Sequence, residues 1–362
     1  MRNFSPASRY LYLIVAVCAL ALFVYSWSLF DSRRSDFSSL WSAALAWEQG
    51  AQPYSVEAQC ERQQSVRQNA CLIFAHPPLI LPVISAVSTV NYQASYTRWS
   101  ILLVFVLAAC FWLLRKISGE GRTAFFCLMF YPVYISVALG QPTAFALLAT
   151  LIWFRLTNTQ HQFLSGLALS LTLVKPQIGL ALGLPLLYAR PRAFAGFATG
   201  ALVLALYALA LVGFGGVQQF ANLMALLAGG EVYGLNRQDM FNVAALTERL
   251  GIGASLIWPL YILGIIAVAG LWRRSMSHSA LAIGVIIALF LSPHLHSHDL
   301  ALLVVPLLGL KARARELIVV LTLLAFALNL EHAAIVLLML GGTCLFLSSL
   351  NDQAENLQTN AA

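Results

Sequence analysis

Asp36 is the first side chain in this sequence whose type and position could support chemistry. It follows the apolar run 10–30 and opens a stretch that ends at Pro53-Tyr54. An ionisable group at a membrane boundary is costly unless it is paired or solvated, which makes Asp36 a candidate catalytic base. The alternative is a loop carboxylate that pairs with Arg33 or Arg34, or that caps a helix.

Lys175 is the second candidate. It lies between the mostly apolar residues 171–174 and Pro176, and the proline favours a break in the helix. A compact ammonium group in this position could bind a phosphate as a point charge. A lysine that snorkels at a helix end is the alternative. Its place at an outer helix end, against the charge bias expected of external loops, favours a functional role.

Three histidines and an aspartate lie within residues 294–299. They could ligate a metal, line a polar cavity, or form a plain interfacial turn. On a helix, His294 and His298 would share one face. No glutamate or cysteine has matching spacing, so we predict no metal site. We predict instead a cavity in which these imidazoles bind phosphate or sugar hydroxyls.

Further polar and aromatic residues are candidates for binding an acceptor or a sugar. Gln141 could cap a helix or donate a hydrogen bond to a sugar hydroxyl, and a tryptophan could stack on a sugar ring or lie at the headgroup level. The candidates are Trp41, Tyr54, Gln141, Asn236 and Arg237. His76, before a proline pair, is a weaker signal.

The composition indicates which elements must position these side chains. Of 362 residues, 60% are apolar and 10% are charged, and the mean hydropathy is +0.79. Soluble domains are less apolar and carry about 25% charged residues. We therefore predict an all-α polytopic membrane protein with about 11–13 membrane helices.

The net charge of +7 does not indicate nucleic-acid binding. The basic residues form short clusters between apolar segments, as the positive-inside rule predicts for cytoplasmic loops. No P-loop or glycine-rich dinucleotide fingerprint is present in the sequence, which argues against a nucleotide-driven pump.

A topology follows from these clusters. Residues 10–30 form a retained first span, and residues 31–76 form a first external loop. Apolar residues at helical spacing predict a helix over 37–47 that lies along the membrane surface. The segment 79–90 is too short to cross comfortably, so we interpret it as a dip into the outer leaflet.

The remaining apolar runs alternate across the membrane within one domain, residues 1–350. A glycine-rich second external loop is predicted over 213–254, and a disordered tail over 351–362. This arrangement puts the unusual polar groups on the outer side, namely Asp36, Gln141, Lys175, the cluster 236–242, the histidine run 294–299 and Glu331-His332.

Two of the six cysteines differ from the others. Cys60 and Cys71 lie in a mostly polar stretch, and an oxidising compartment would join them in a disulfide. Two unpaired thiols are the alternative. The remaining four lie in apolar segments and are interpreted as packing residues: Cys18, Cys110, Cys127 and Cys344.

Taken in order, these short motifs resemble glycosyltransferase family 87, part of the GT-C superfamily. The resemblance runs from Asp36 to about Pro306. It is carried by Asp36, Trp41, Gly50 and Pro53-Tyr54, by Pro77-Pro78-Leu79, by Gly140-Gln141, by Lys175-Pro176, and by Ser292-Pro293 with His298.

The resemblance implies that Asp36 is the general base of an inverting sugar transfer. It implies a polyprenyl-phosphate-sugar donor, commonly of mannose, and catalysis on the extracytoplasmic side of the cytoplasmic membrane. The acceptor would be a glycolipid or a glycan, and no cofactor is expected. Lys175, His294 and His298 would then bind the donor phosphate.

Two other classes of protein stay open on the sequence. A transporter or flippase would use Lys175 and the histidines as translocation groups, and it predicts ionisable pairs in the membrane and repeat symmetry. A non-catalytic assembly subunit would keep the same fold.

Overall fold

The structure is a computed structural model that describes residues 35–66, 71–229, 240–251 and 256–327, with five isolated positions between 10 and 21. Within these ranges every regular element is helical. Most of the predicted first span, the sugar-binding candidates Asn236 and Arg237, and the tail 351–362 lie outside the described residues.

Most of the described helices follow one another with short connections. The first six are α1 (Phe37–Glu48), α2 (Val56–Gln64), α3 (Leu81–Ser85), α4 (Tyr92–Ser118), α5 (Gly121–Leu128) and α6 (Tyr131–Ala138). The next five are α7 (Thr143–Thr157), α8 (Gln162–Ser170), α9 (Pro176–Gly183), α10 (Leu186–Ala189) and α11 (Pro191–Gly229). The last five are α12 (Val243–Arg249), α13 (Ile257–Arg274), α14 (His278–Leu291), α15 (Val304–Leu308) and α16 (Ala312–Ala327). The described part of the chain also has 3₁₀ segments at Pro78–Ile80, Leu171–Val174 and Ser297–Leu303.

Three of the described helices are long and apolar enough to cross a membrane. They are α4, the part Pro191–Leu227 of α11, and α13. Helices α5 and α6, bent by 55°, make a fourth if they count as one broken span. The other apolar stretches are shorter helices. The chain is thus an all-α polytopic membrane protein, in which many of the predicted crossings are short or broken.

Helix α1 is present, but its location differs from the predicted one. We expected it on the membrane surface, but ten of its twelve residues are buried. The apolar spacing includes Phe37 and Leu40, both with no exposed surface. Its serines do not form a polar face, because they donate to nearby backbone carbonyls; Ser39 Oγ, for example, lies 2.8 Å from the Asp36 carbonyl oxygen. The helix therefore packs inside the bundle and holds Asp36 there.

The prediction of a second external loop over 213–254 is also wrong for the first part of this range. Helix α11 continues through residues 213–229 and is only broken at Gly213, where φ is +67°. The indole of Trp47 donates to the Leu211 carbonyl just before this break (2.9 Å). Glycines are common in membrane helices, so the glycine-rich composition did not predict a loop correctly.

Candidate active site

One polar cavity of about 330 Å³ lies among five segments of the chain. Its walls come from the start of α1, the non-helical segment 72–76, the turn 139–141, the segment 174–177 and the turn 294–298. Five of the residues singled out on the sequence line it together, namely Asp36, Gln141, Lys175, His294 and His298. Residues far apart in sequence thus meet at one site.

Asp36 is positioned directly before α1. The Gln141 side chain donates from Nε2 to Asp36 Oδ2 at 2.7 Å. The amide thus contacts the carboxylate as well as the cavity, a pairing that the sequence did not predict because 105 positions separate the two residues.

The turn before α7 holds Gln141 in place. Gly140 has φ of +71°, and a Cβ atom there would lie 2.7 Å from Phe37 Cβ. Only glycine fits without strain. The indole of Trp99 donates to the Gly140 carbonyl (2.8 Å), and the Phe37 amide donates to the Leu139 carbonyl (3.1 Å). The turn and the start of α1 are therefore locked together.

Lys175 has a partner that the sequence did not predict. Its Nζ lies 2.5 Å from Asp299 Oδ1, and the two residues are 4% and 0% exposed. The Asp299 carboxylate also accepts from the His296 amide at 3.2 Å. His298 Nε2 lies 3.5 Å from Asp299 Oδ1. Lys175, which lines the cavity, thus belongs to a buried ion pair with no net charge.

Neutral imidazoles border the same cavity. His76 and His294 keep part of their surface open to it, and protein surrounds them on the other sides. This loss of solvation, with the nearby positive charge of Lys175, lowers the pKa of each ring to about 3. Both are neutral near pH 7, so each can donate one hydrogen bond and accept another. The weak sequence signal at His76 marked a residue of the site.

Two predicted sugar-binding residues are not part of the cavity. Trp41 is 4% exposed, and its indole donates to the Thr89 carbonyl (2.8 Å) while its ring packs edge-on against Tyr92. Tyr54 is 5% exposed and its hydroxyl donates to the His76 carbonyl (2.9 Å). Both rings are core residues, so the prediction that they bind sugar is wrong.

Gln177 lines the cavity and was not singled out on the sequence. Its amide lies 3.4 Å from the His294 carbonyl, and its own carbonyl accepts from the Tyr261 hydroxyl at 3.0 Å. A glutamine inside an apolar segment, two positions after Lys175, was the available signal. Within the described ranges no group of three His, Cys, Asp or Glu side chains is arranged to hold a metal ion.

The predicted disulfide between Cys60 and Cys71 is present, with their Cα atoms 5.1 Å apart. It ties α2 to the segment that forms one wall of the cavity. Two buried glutamines of α2 hold the same segment. Gln59 accepts from the Phe74 amide (2.7 Å), and Gln63 accepts from the Leu72 amide (3.0 Å) and donates to the Leu72 carbonyl (2.7 Å).

Removing this disulfide is expected to destabilise the protein. Closing a loop of this size restricts the unfolded chain by about 3 kcal/mol. The variant with Cys60→Ser and Cys71→Ser should therefore unfold at a lower temperature than the wild type. A reducing agent should lower the midpoint of the wild type and leave that of the variant unchanged. A wild-type midpoint insensitive to reduction would contradict this expectation.

The fold and the site together define a class of protein. It is a polytopic helical membrane protein in which a carboxylate, a buried ammonium and several imidazoles share one polar cavity. A family model for glycosyltransferase family 87 matches residues 74–293, well over half of the chain. The chain belongs to glycosyltransferase family 87 and is a glycosyltransferase. No curated protein and no solved structure matches it.

The matched range contains Gln141 and Lys175, whereas Asp36, His294 and His298 lie outside it. The cavity joins both sets of residues. The family also leaves the transporter or flippase alternative without support, although Lys175 and Asp299 form the ionisable pair that it predicted.

Proposed function

We propose that this glycosyltransferase transfers a sugar, with inversion, from a polyprenyl-phosphate-sugar donor to a hydroxyl of a glycolipid or glycan. The observation that carries the proposal is that Asp36 and Lys175 line one cavity. A base and a cation that line the same cavity match the two requirements of such a transfer. One must remove a proton from the acceptor, and the other must stabilise the departing phosphate.

The proposed transfer forms one bond at the anomeric carbon and breaks another. The acceptor oxygen forms a bond to the anomeric carbon, and the bond from that carbon to the phosphate oxygen breaks with its electron pair. The acceptor proton goes to Asp36. Polyprenyl phosphate leaves with an additional negative charge, next to Lys175, His294 and His298.

The ion pair constrains how Lys175 acts. Its ammonium carries three N–H donors, and Asp299 occupies only part of that capacity. The phosphate of the sugar donor can accept hydrogen bonds from the remaining N–H groups of Lys175. The neutral imidazole of His294 can donate a further hydrogen bond to it. The carboxylate of Asp299 offsets part of the cost of burying the Lys175 ammonium.

A lipid-linked donor is also consistent with the outer faces of the bundle. Exposed apolar side chains occur along the long helices, for example Phe105 on α4 and Leu202 on α11. Such surfaces suit a bilayer, in which the polyprenyl chain would stay while its phosphate enters the cavity. No soluble nucleotide-binding domain is then needed.

Helix α4 supports an extracytoplasmic site. At its start the Tyr92 hydroxyl shares a hydrogen bond with Ser35, the neighbour of Asp36 (2.8 Å). Arg115 and Lys116 lie in its last turn. The rise from Tyr92 to Arg115 is about 35 Å, close to the thickness of a bilayer. Basic residues favour the cytoplasmic side, so the cavity would face outward, where the disulfide is also stable.

The test uses the purified protein, a glycan acceptor mixture and a panel of polyprenyl-phosphate sugars that begins with mannose. We expect one of these donors to be consumed, free polyprenyl phosphate to form, and the product to have the inverted anomeric configuration. Nucleotide sugars serve as matched controls and should not react. Transfer from a nucleotide sugar would contradict the proposal, and so would a failure to transfer from any polyprenyl-phosphate sugar.

A further inference from the structure

We infer that the Gln141 side chain binds both Asp36 and the acceptor. Gln141 thereby selects acceptors that have two neighbouring hydroxyl groups. Its Nε2 group orients the Asp36 carboxylate, and its Oε1 atom accepts a hydrogen bond from the hydroxyl next to the reacting one. The inference rests on the proposed role of Asp36 as the base.

The orientation of the Gln141 amide follows from its partner. An ionised carboxylate only accepts hydrogen bonds, so the amide must turn its NH₂ group toward Asp36 Oδ2, at 2.7 Å. The reversed amide would put two acceptor oxygens against each other. Oε1 is therefore directed away from the carboxylate oxygen that Nε2 contacts.

Oε1 lacks what a buried polar atom normally has. Gln141 is 6% exposed, and within the described residues its Oε1 atom is buried with no hydrogen-bond partner. Buried acceptors without a donor are rare, because such an atom has lost its hydration without compensation. Gln141 lines the cavity, and the donor that we infer for Oε1 is a hydroxyl of a substrate bound there.

Backbone hydrogen bonds hold the main chain at Gln141, and the bond to Asp36 holds its side chain. The backbone N–H of Gln141 donates to the Ser136 carbonyl (2.8 Å), and the carbonyl of Gly140 accepts from the Trp99 indole (2.8 Å). Gly140 cannot be replaced without a contact with Phe37. The carboxylate and the amide oxygen are thus held as a fixed pair of acceptors.

A fixed pair of acceptors separated by one amide group matches a vicinal diol. One hydroxyl gives its proton to Asp36 during transfer, and its neighbour donates to Gln141 Oε1 without reacting. Sugar rings and other polyols present such pairs, whereas a simple alcohol does not. Sites that hydrogen-bond a substrate hydroxyl reject analogues that lack it far better than apolar pockets do.

The experiment compares acceptors in the full-length protein. The probes are octyl glycosides of several sugars, their monodeoxy analogues and octanol, each with the donor that the wild type consumes. With the wild type, we expect octanol to be inactive. Removing the hydroxyl next to the reacting one should lower kcat/KM by about ten- to hundredfold. In Gln141→Leu, that same removal should have no further effect.

Gln177→Leu is the matched control, since it removes a glutamine from the same cavity. It should keep the penalty for the missing neighbouring hydroxyl, whatever happens to its rate. Octanol accepted as well as the glycosides, or a penalty that is unchanged in Gln141→Leu, would overturn this inference alone. No transfer to any acceptor by the wild type, with any polyprenyl-phosphate sugar, would overturn the proposed function and this inference with it.

Discussion

Asp36→Asn should abolish sugar transfer and leave the folded protein intact. General base catalysis contributes about 10²- to 10⁴-fold, and the neutral amide cannot take the acceptor proton. The asparagine side chain has nearly the same shape, and its oxygen can still accept from Gln141. The rate of polyprenyl phosphate release measures the effect, and donor-induced thermal stabilisation measures binding.

The same variant separates an enzyme from a non-catalytic subunit of the same fold. The wild type must turn over the donor, and Asp36→Asn must bind it without turnover. Ser39→Ala is a useful control because this residue lines the cavity near Asp36 but carries no acid. A variant Asp36→Asn that transfers at the wild-type rate would remove Asp36 as the base.

Asp299→Asn should destabilise the protein by about 3–5 kcal/mol, because it leaves the buried Lys175 ammonium without its carboxylate. Lys175→Met should have a similar cost, since Asp299 would then lose its compensating charge. Combining Lys175→Met with Asp299→Leu removes both charges. The double variant should be much more stable than the sum of the single effects predicts. Denaturation of the four proteins measures this coupling.

Activity should not recover in that double variant, because the cation proposed to bind the phosphate is gone. The ion pair of Arg122 with Glu316 serves as the control, since it joins α5 to α16 away from the residues that line the cavity. Glu316→Gln should lower stability and leave kcat near the wild-type value. Transfer by the double variant at the wild-type rate would exclude Lys175 from phosphate binding.

The sequence predicted fairly well which distant residues come together at the cavity. It did not predict the individual side-chain hydrogen bonds and ion pairs that they form. Placing basic clusters on one side left Asp36, Lys175 and the histidine run on the other, and the cavity joins them. The hydrogen bonds that Gln141 donates to Asp36 and Lys175 donates to Asp299 depend on side-chain geometry between segments distant in sequence. Hydropathy and spacing contain no information about such geometry.

The errors have physical causes as well. Trp41 and Tyr54 were assigned to sugar because aromatic rings stack on sugars, yet rings of this size contribute more often to packing. The helix that begins at Phe37 was predicted to lie on the membrane surface because its apolar residues recur at helical spacing. The serines between them do not require that location. Hydroxyls that bond to their own backbone need no solvent, and their small size lets neighbouring helices approach closely.

The neutral imidazoles at His76 and His294 contribute to how the stability of the enzyme responds to acid. In the unfolded chain each ring binds a proton as the pH falls through about 6.5, whereas in the folded chain it does so only near 3. Protons therefore favour the unfolded chain throughout this interval, and the stability present above pH 6.5 decreases as the medium is acidified. The charge on these two rings stays constant over most of the same interval. Mild acidification thus threatens the integrity of the enzyme before it alters the ionisation of these groups.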